Sequence, residues 1–275
     1  MSAAGVSMVE QDLRPGRALG IVPNLRDVGG YRTDDGGVVR TGMVYRSTKL
    51  DQLRGDASEA FARLGIRTVY DLRSAAERRS APDLLPEGTR LVPLDVFADV
   101  PGEAPTKLIS VLEDVPEAER MLGGGRLEAH FRHAYRDFVS LPSAQRAYAR
   151  LFTDLATPDQ HPALFHCTTG KDRTGWAAAV LLLFLGVDED DVMADFLLSS
   201  EYVLPSYQPV IDAFAAAGGD PAIPTAVLGV RPQYLDYALA EMRQRYETVE
   251  GYLAEGLGLD SDVRQRLRDV FVRHD

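Results

Sequence analysis

Hydrophobic and polar positions are segregated most sharply between Ala163 and Val187, in the stretch ALFHCTTGKDRTGWAAAVLLLFLGV. It opens with the apolar run Ala163 to Phe165, crosses a polar segment containing Gly170, and continues as a largely apolar block from Trp176 to Val187. A short apolar run, a glycine-bearing polar segment and a block of helical length predict strand, loop and buried helix. Three further short runs, Met43 to Arg46, Thr68 to Leu72 and Thr89 to Val96 with Pro93 inside it, read as strands. Asp34 to Gly37 reads as the turn of a small hairpin between Gly30 to Arg32 and Val38 to Val39. Helical spacing of apolar residues predicts helices over Asp56 to Leu64, Leu127 to Phe138, Ser143 to Leu155, Arg231 to Tyr246 and Asp260 to Phe271.

Two regions fit this scheme less tightly. Pro101 to Gly125 is rich in proline and glycine and reads as a mobile insertion. From the acidic run Asp188 to Asp191, residues of about 190–225 read as a helical cover, interrupted by prolines and closed by Gly218 and Gly219. Met1 to Leu19 has no period and reads as a loose lead-in. The expected architecture is one α/β domain over residues 1–275, three layers around a mainly parallel sheet.

Composition narrows the function. The chain has 275 residues, 45% of them hydrophobic, and 41 acidic against 30 basic side chains, a formal charge of -11. Such a surface repels nucleic acid and anionic lipid as a whole, so a negatively charged ligand must be drawn in locally. No basic series interleaved with aromatics suits nucleic acid. No apolar run reaches spanning length and no signal-peptide pattern opens the chain, which makes a cytoplasmic location the default, with export by another route left open. Nothing in the chain fixes its oligomeric state. A single cysteine allows no internal disulfide and suits a reducing compartment.

That cysteine, Cys167, lies in the polar segment between the predicted strand and helix, six residues before Arg173. Thr168, Thr169, Gly170, Lys171 and Asp172 separate them, and Gly170 lets this segment curl until its backbone N–H groups converge as an anion-binding nest beside the helix start. The planar fork of Arg173 can take two phosphate oxygens, and Cys167 would face the phosphorus as a thiolate nucleophile. Thr174 can donate its hydroxyl to that thiolate, and His166 orients the loop. The residues of a magnesium-nucleotide loop are missing, because Asp172 stands where Ser or Thr would be needed. His130 and His133 are three apart but lack a third ligand nearby in sequence, so they read as packing or surface residues. No metal and no cofactor is expected.

The run His166 to Gly175, HCTTGKDRTG, resembles the signature of cysteine-dependent tyrosine and dual-specificity phosphatases, and most closely their atypical bacterial group, in which Lys and Asp sit together in the loop. The likeness continues in Asn24-Leu25-Arg26-Asp27, Tyr45-Arg46-Ser47, Leu64-Gly65-Ile66, Asp71-Leu72-Arg73-Ser74, Val230-Arg231 and Tyr234-Leu235. It implies the cysteine-phosphatase fold, with Arg26, Asp27, Arg46, Asp71 and Arg73 supporting the site. A salt bridge from Arg73 to Glu77 is the plain structural alternative for that arginine. The resemblance implies hydrolysis of phosphate monoesters through a cysteinyl phosphate, with phosphotyrosine protein the first substrate. Phosphoserine, phosphothreonine and phosphoinositides are further substrates it allows. Asp172 is the favoured general acid; Asp95 and Asp99 are the alternatives, because the family's acid region is shifted in this chain. Lys171 is expected at the rim, where it could meet a second negative group. An inactive phosphoprotein-binding module and a sulfur transferase are the competing readings, opposed by the presence of both Cys167 and Arg173 and by the length of the loop.

Overall fold

The computed structural model describes residues 15–100 and 108–274. The first 14 residues of the expected lead-in and residues 101–107 of the expected insertion lie outside them. Among the described residues, seven strands form two sheets: β1 (Arg26–Asp27), β2 (Val38–Val39), β3 (Val44–Ser47), β4 (Thr68–Asp71), β5 (Arg90–Pro93), β6 (Ala163–His166) and β7 (Val272–Arg273). The helices that matter below are α1 (Asp56–Ala62), α2 (Ala75–Ser80), α3 (Val115–Leu122), α4 (Arg126–Ser140), α5 (Pro142–Leu155), α6 (Arg173–Phe184), α7 (Glu189–Ala216), α8 (Ala222–Leu228), α9 (Pro232–Tyr246) and α10 (Ser261–Phe271).

The five-stranded sheet has the order β1-β3-β6-β4-β5. β3, β6, β4 and β5 run parallel, with Ser47 and Asp71 both level with His166. β1 joins antiparallel to β3, pairing Arg26 with Arg46. The sheet is therefore mixed, parallel in three of its four pairings and antiparallel in the fourth; the two-residue strand β1 precedes β3 by a short return that only antiparallel pairing permits. The expected hairpin forms through the Arg32–Val38 bridge, and β2 also pairs antiparallel with the terminal strand β7.

Period-two alternation sorts the strand residues onto two faces. Val44, Tyr70, Ala163 and Phe165 enter the larger core with α4, α5, α6 and α9. Tyr45, Val69 and Leu164 enter the smaller one with Phe61 of α1. Helices thus surround a central sheet in a mixed α/β fold. Helix α6 is apolar around its whole circumference and every residue of it except Leu183 is buried, as such a helix must be. Helix α7 spans 28 residues without interruption, through both Pro205 and Pro209. No helix among the described residues is long and apolar enough to cross a membrane.

Candidate active site

The parallel strands β3, β4 and β6 end together, and the loop from Cys167 to Asp172 leaves β6 at that edge, where α/β sheets hold ligands. Four successive carbonyls of this loop are held from outside. The Nδ1–H of His166 donates to the Cys167 carbonyl at 3.1 Å. The Lys49 N–H donates to the Thr168 carbonyl at 3.2 Å. Asn24 Nδ2 reaches the carbonyls of Thr169 at 3.4 Å and Gly170 at 2.9 Å, and Arg46 Nη2 reaches the latter at 3.0 Å. Because C=O and the next N–H point in opposite directions across a trans peptide, the N–H groups of Thr168, Thr169, Gly170 and Lys171 are turned to the opposite side. Gly170 allows the curl, with φ of +65°, and a Cβ there would lie 2.1 Å from the Ser47 carbonyl oxygen.

Arg173, the first residue of α6, is 6% exposed and donates from Nη1 and Nη2 to the two carboxylate oxygens of Glu77, each at 2.7 Å. Glu77 in turn closes a capping box with Ser74 at the start of α2 and accepts from the Thr168 hydroxyl. Burial alone would raise the Glu77 carboxyl, but Arg173, Thr168 and the Ser74 N–H hold it well below the usual glutamate range. Burial opposes the Arg173 charge as well, and Glu77 more than restores it. Glu77 is therefore not the partner of Arg73. The Arg73 guanidinium instead grips Asp71 through Nε at 2.9 Å and Nη2 at 2.7 Å, and Asp83 through Nη2 at 2.8 Å.

His166 stands beside this second cluster, with Nε2 3.1 Å from Asp83 and 4.0 Å from Asp71. Burial would raise Asp83, while His166, Arg73 and the Leu50 N–H lower it. Asp71, Asp83 and His166 are close enough to hold a metal ion, yet Arg73 already bonds both carboxylates there. His130 and His133 join no such group among the described residues; they line the cleft described below, His133 3.4 Å from Asp137.

A third buried cluster lies behind the loop. Asp195 of α7 accepts from Arg26 Nε at 2.9 Å, Arg46 Nη1 at 2.6 Å and the Tyr31 hydroxyl at 3.2 Å. Burial would raise its carboxyl, and the two arginines hold it below the usual range. Burial and the nearby Arg26 bring Arg46 down to about 10. Asp27 faces elsewhere, binding the N–H groups of Gly29 and Gly42, and burial pushes it up to about 6.

The loop opens into a cleft of about 470 Å³. Thr168, Thr169, Lys171, Asp172 and Arg173 form its polar end, and Phe97, Leu108, Ile109, Phe131 and Phe138 its apolar walls. Cys167 is buried, 1% exposed. Asp172 Oδ1 accepts from the Tyr135 hydroxyl at 2.7 Å and from Lys171 Nζ at 2.8 Å. Lys171 is buried too, its Nζ lying 5.0 Å from the Phe131 ring centroid, so it is a wall of the cleft rather than a free cation at the rim. Asp95 is tied to the N–H groups of Ala75 and Phe97, and Asp99 to Arg146; neither lines the cleft. The Thr174 hydroxyl is buried and has no hydrogen-bond partner among the described residues.

The structure thus gathers Cys167 to Arg173 with Arg46, and adds Glu77, Asp83, Tyr135 and Asp195, which the sequence reading did not assign to the site. Only Glu77 carried a local signal, the Ser74-x-x-Glu77 spacing of a capping box. The sequence profile described as the tyrosine phosphatase family matches residues 18–273. The chain is 31% identical to a triple specificity protein phosphatase of Mycobacterium tuberculosis, over 90% of this chain and 96% of that protein. It is 29% identical to a Cupriavidus necator protein named as a candidate tyrosine-protein phosphatase, over 88% and 84%. A tyrosine-protein phosphatase of Nostoc commune is 28% identical over 84% of this chain and 72% of its own length.

Proposed function

This chain belongs to the tyrosine phosphatase family, and on that premise we propose that it hydrolyses phosphate monoesters by attack of Cys167 on phosphorus. The observation that carries the reading is the loop itself: four outward carbonyls, and hence inward N–H groups, between a cysteine and a buried arginine. The Nη1–Nη2 edge of Arg173 is bonded to Glu77, and a guanidinium has five N–H groups. Its Nε–Nη2 edge is the one that would grip two equatorial oxygens of the phosphoryl group. The nest and this edge stabilise charge as the bond from phosphorus to the ester oxygen breaks and the bond to sulfur forms. Water then cleaves the cysteinyl phosphate, releasing inorganic phosphate and the thiolate, to which the unpartnered hydroxyl of Thr174 would donate. Asp172 is the acid we assign to the leaving oxygen, since it lines the cleft and Asp95 and Asp99 do not.

The apolar and aromatic walls favour an aryl leaving group, so phosphotyrosine protein is placed first among substrates. The triple specificity named for the Mycobacterium tuberculosis relative supports breadth beyond it, with phosphoserine, phosphothreonine and soluble phosphoinositides as further substrates. The chain is read as one phosphatase domain of the three-layer cysteine-phosphatase type. Residues 108–125 and α7 act as its cover, a reading supported by Leu108, Ile109 and Tyr207 in the cleft wall.

The experiment measures inorganic phosphate released from phosphotyrosine, phosphoserine and phosphothreonine peptides and from short-chain phosphoinositides, for the native protein and Cys167→Ser. Fastest release from phosphotyrosine, abolished in Cys167→Ser while phosphate still binds, is expected. Undiminished release by Cys167→Ser would overturn the mechanism, and binding without release by the native protein would leave a phosphoprotein-binding module.

A further inference from the structure

We propose that Asp195, on helix α7, is a positioning residue for the phosphate loop, although it touches neither the loop nor the cleft. Its carboxylate is buried, the residue only 3% exposed, and joins three separate pieces of chain: Arg26 of β1, Tyr31 of the hairpin and Arg46 of β3. Arg46 spends one end of its guanidinium on Asp195 Oδ2 at 2.6 Å and the other on the Gly170 carbonyl at 3.0 Å. Asn24, which supplies the second donor to that carbonyl, accepts through its own side-chain oxygen from Arg26 Nη1. Of the two donors that turn the Gly170 carbonyl outward, one is thus an arginine that Asp195 fixes and the other is held by such an arginine.

The charge arithmetic supports the same role. Two buried arginines within reach of each other under the loop repel, and burial opposes the charge of Arg46; Asp195 is the carboxylate bonded to both. Ser199, one helical turn further on, lies 3.4 Å from each guanidinium, so α7 presents a matched pair of side chains to this cluster. Without the carboxylate, Arg46 keeps only the 3.4 Å contact with Ser199 away from the loop, and the constraint that aims the Gly170–Lys171 N–H inward is weakened. The same contact links α7, whose Tyr207 lines the cleft, to the loop at the end of β6. Position on the covering helix and geometry of the anion site are then two ends of one buried network.

The inference rests on the loop being the phosphate site, and the test separates the two. Folding by circular dichroism and thermal melting, kcat and KM with an aryl phosphate, and Ki for inorganic phosphate are measured for Asp195→Asn, Asp195→Glu, Arg173→Ala and Glu201→Gln, an exposed control on α7. Asp195→Asn is expected to raise the phosphate Ki and lower kcat about tenfold or more each, as small misplacements of a catalytic constellation do. Asp195→Glu keeps the charge that the arginines require and therefore folds; its displaced carboxylate is expected to raise the Ki about fivefold. Glu201→Gln is expected to change neither. A folded Asp195→Asn or Asp195→Glu with Ki and kcat within about twofold of the native values overturns the positioning role. An unchanged Ki in Arg173→Ala overturns the phosphate-loop reading itself.

Discussion

Glu77 does more than its capping-box spacing announces. Its carboxylate is bonded at once to Arg173, to the Thr168 hydroxyl and to the N–H that starts α2. A carboxyl held below its ordinary value of 4.5 binds fewer protons in the folded state than in the unfolded one. Its contribution is therefore fully present above pH 4.5 and lost as the pH falls below that value toward its folded one. Glu77→Gln should be destabilised relative to the native protein at neutral pH, and the two should converge as urea denaturation is repeated at lower pH below 4.5. A constant gap at every pH would mean that the charge of Glu77 contributes nothing. Turnover should fall on the order of tenfold in the same variant, because the Arg173 fork loses its alignment. Lys171 is a second case in which placement alters the expectation. Bonded to Asp172 and packed on Phe131, it is part of the common cradle. Lys171→Ala should therefore slow phosphotyrosine and phosphoinositide hydrolysis by similar factors, and a loss confined to phosphoinositides would restore a separate role at the rim.

At the scale of elements, the segregated stretch from Ala163 onward was legible because each signal is local: an apolar run, a glycine forced to positive φ, and a helix apolar on all sides. The partners of that loop were not legible, since they come from residues 96, 124 and 145 positions away in the chain and spacing carries no record of such contacts. Helix α7 was hidden for the opposite reason. Pro205 and Pro209 predict a break by the local rule, and the helix runs through both, packed through Val203, Ile211 and Phe214 on its buried side while the two prolines are exposed. Each proline removes one main-chain hydrogen bond and crowds the preceding turn, costs that tertiary packing outweighs here. Pro205→Ala should then stabilise the protein by roughly 1–2 kcal/mol, the interior-proline penalty less the entropy that proline removes from the unfolded chain. Urea denaturation measures it directly. A lower midpoint would show that the proline-imposed bend is itself needed for packing.

At the scale of the whole molecule, charge sets the terms of encounter. A formal charge of -11 surrounds a cleft lined at its polar end by Arg173 and Lys171, both buried and both bonded to carboxylates. Such paired, buried cations act at contact distance, while the surface field reaches outward by about one Debye length, roughly 10 Å at 0.1 M salt. An acidic phosphopeptide must therefore cross a repulsive field before it meets the attractive one. Raising ionic strength from about 0.02 to about 0.2 M shortens the repulsion more than it weakens the buried contacts. The value of kcat/KM for a phosphotyrosine peptide with acidic flanks should rise over that range, and the same peptide with lysine flanks should start higher and fall. Identical salt dependence for the two peptides would show that the cleft, and not the surface, governs their approach. A fall for the acidic peptide would instead require a basic docking face outside the cleft.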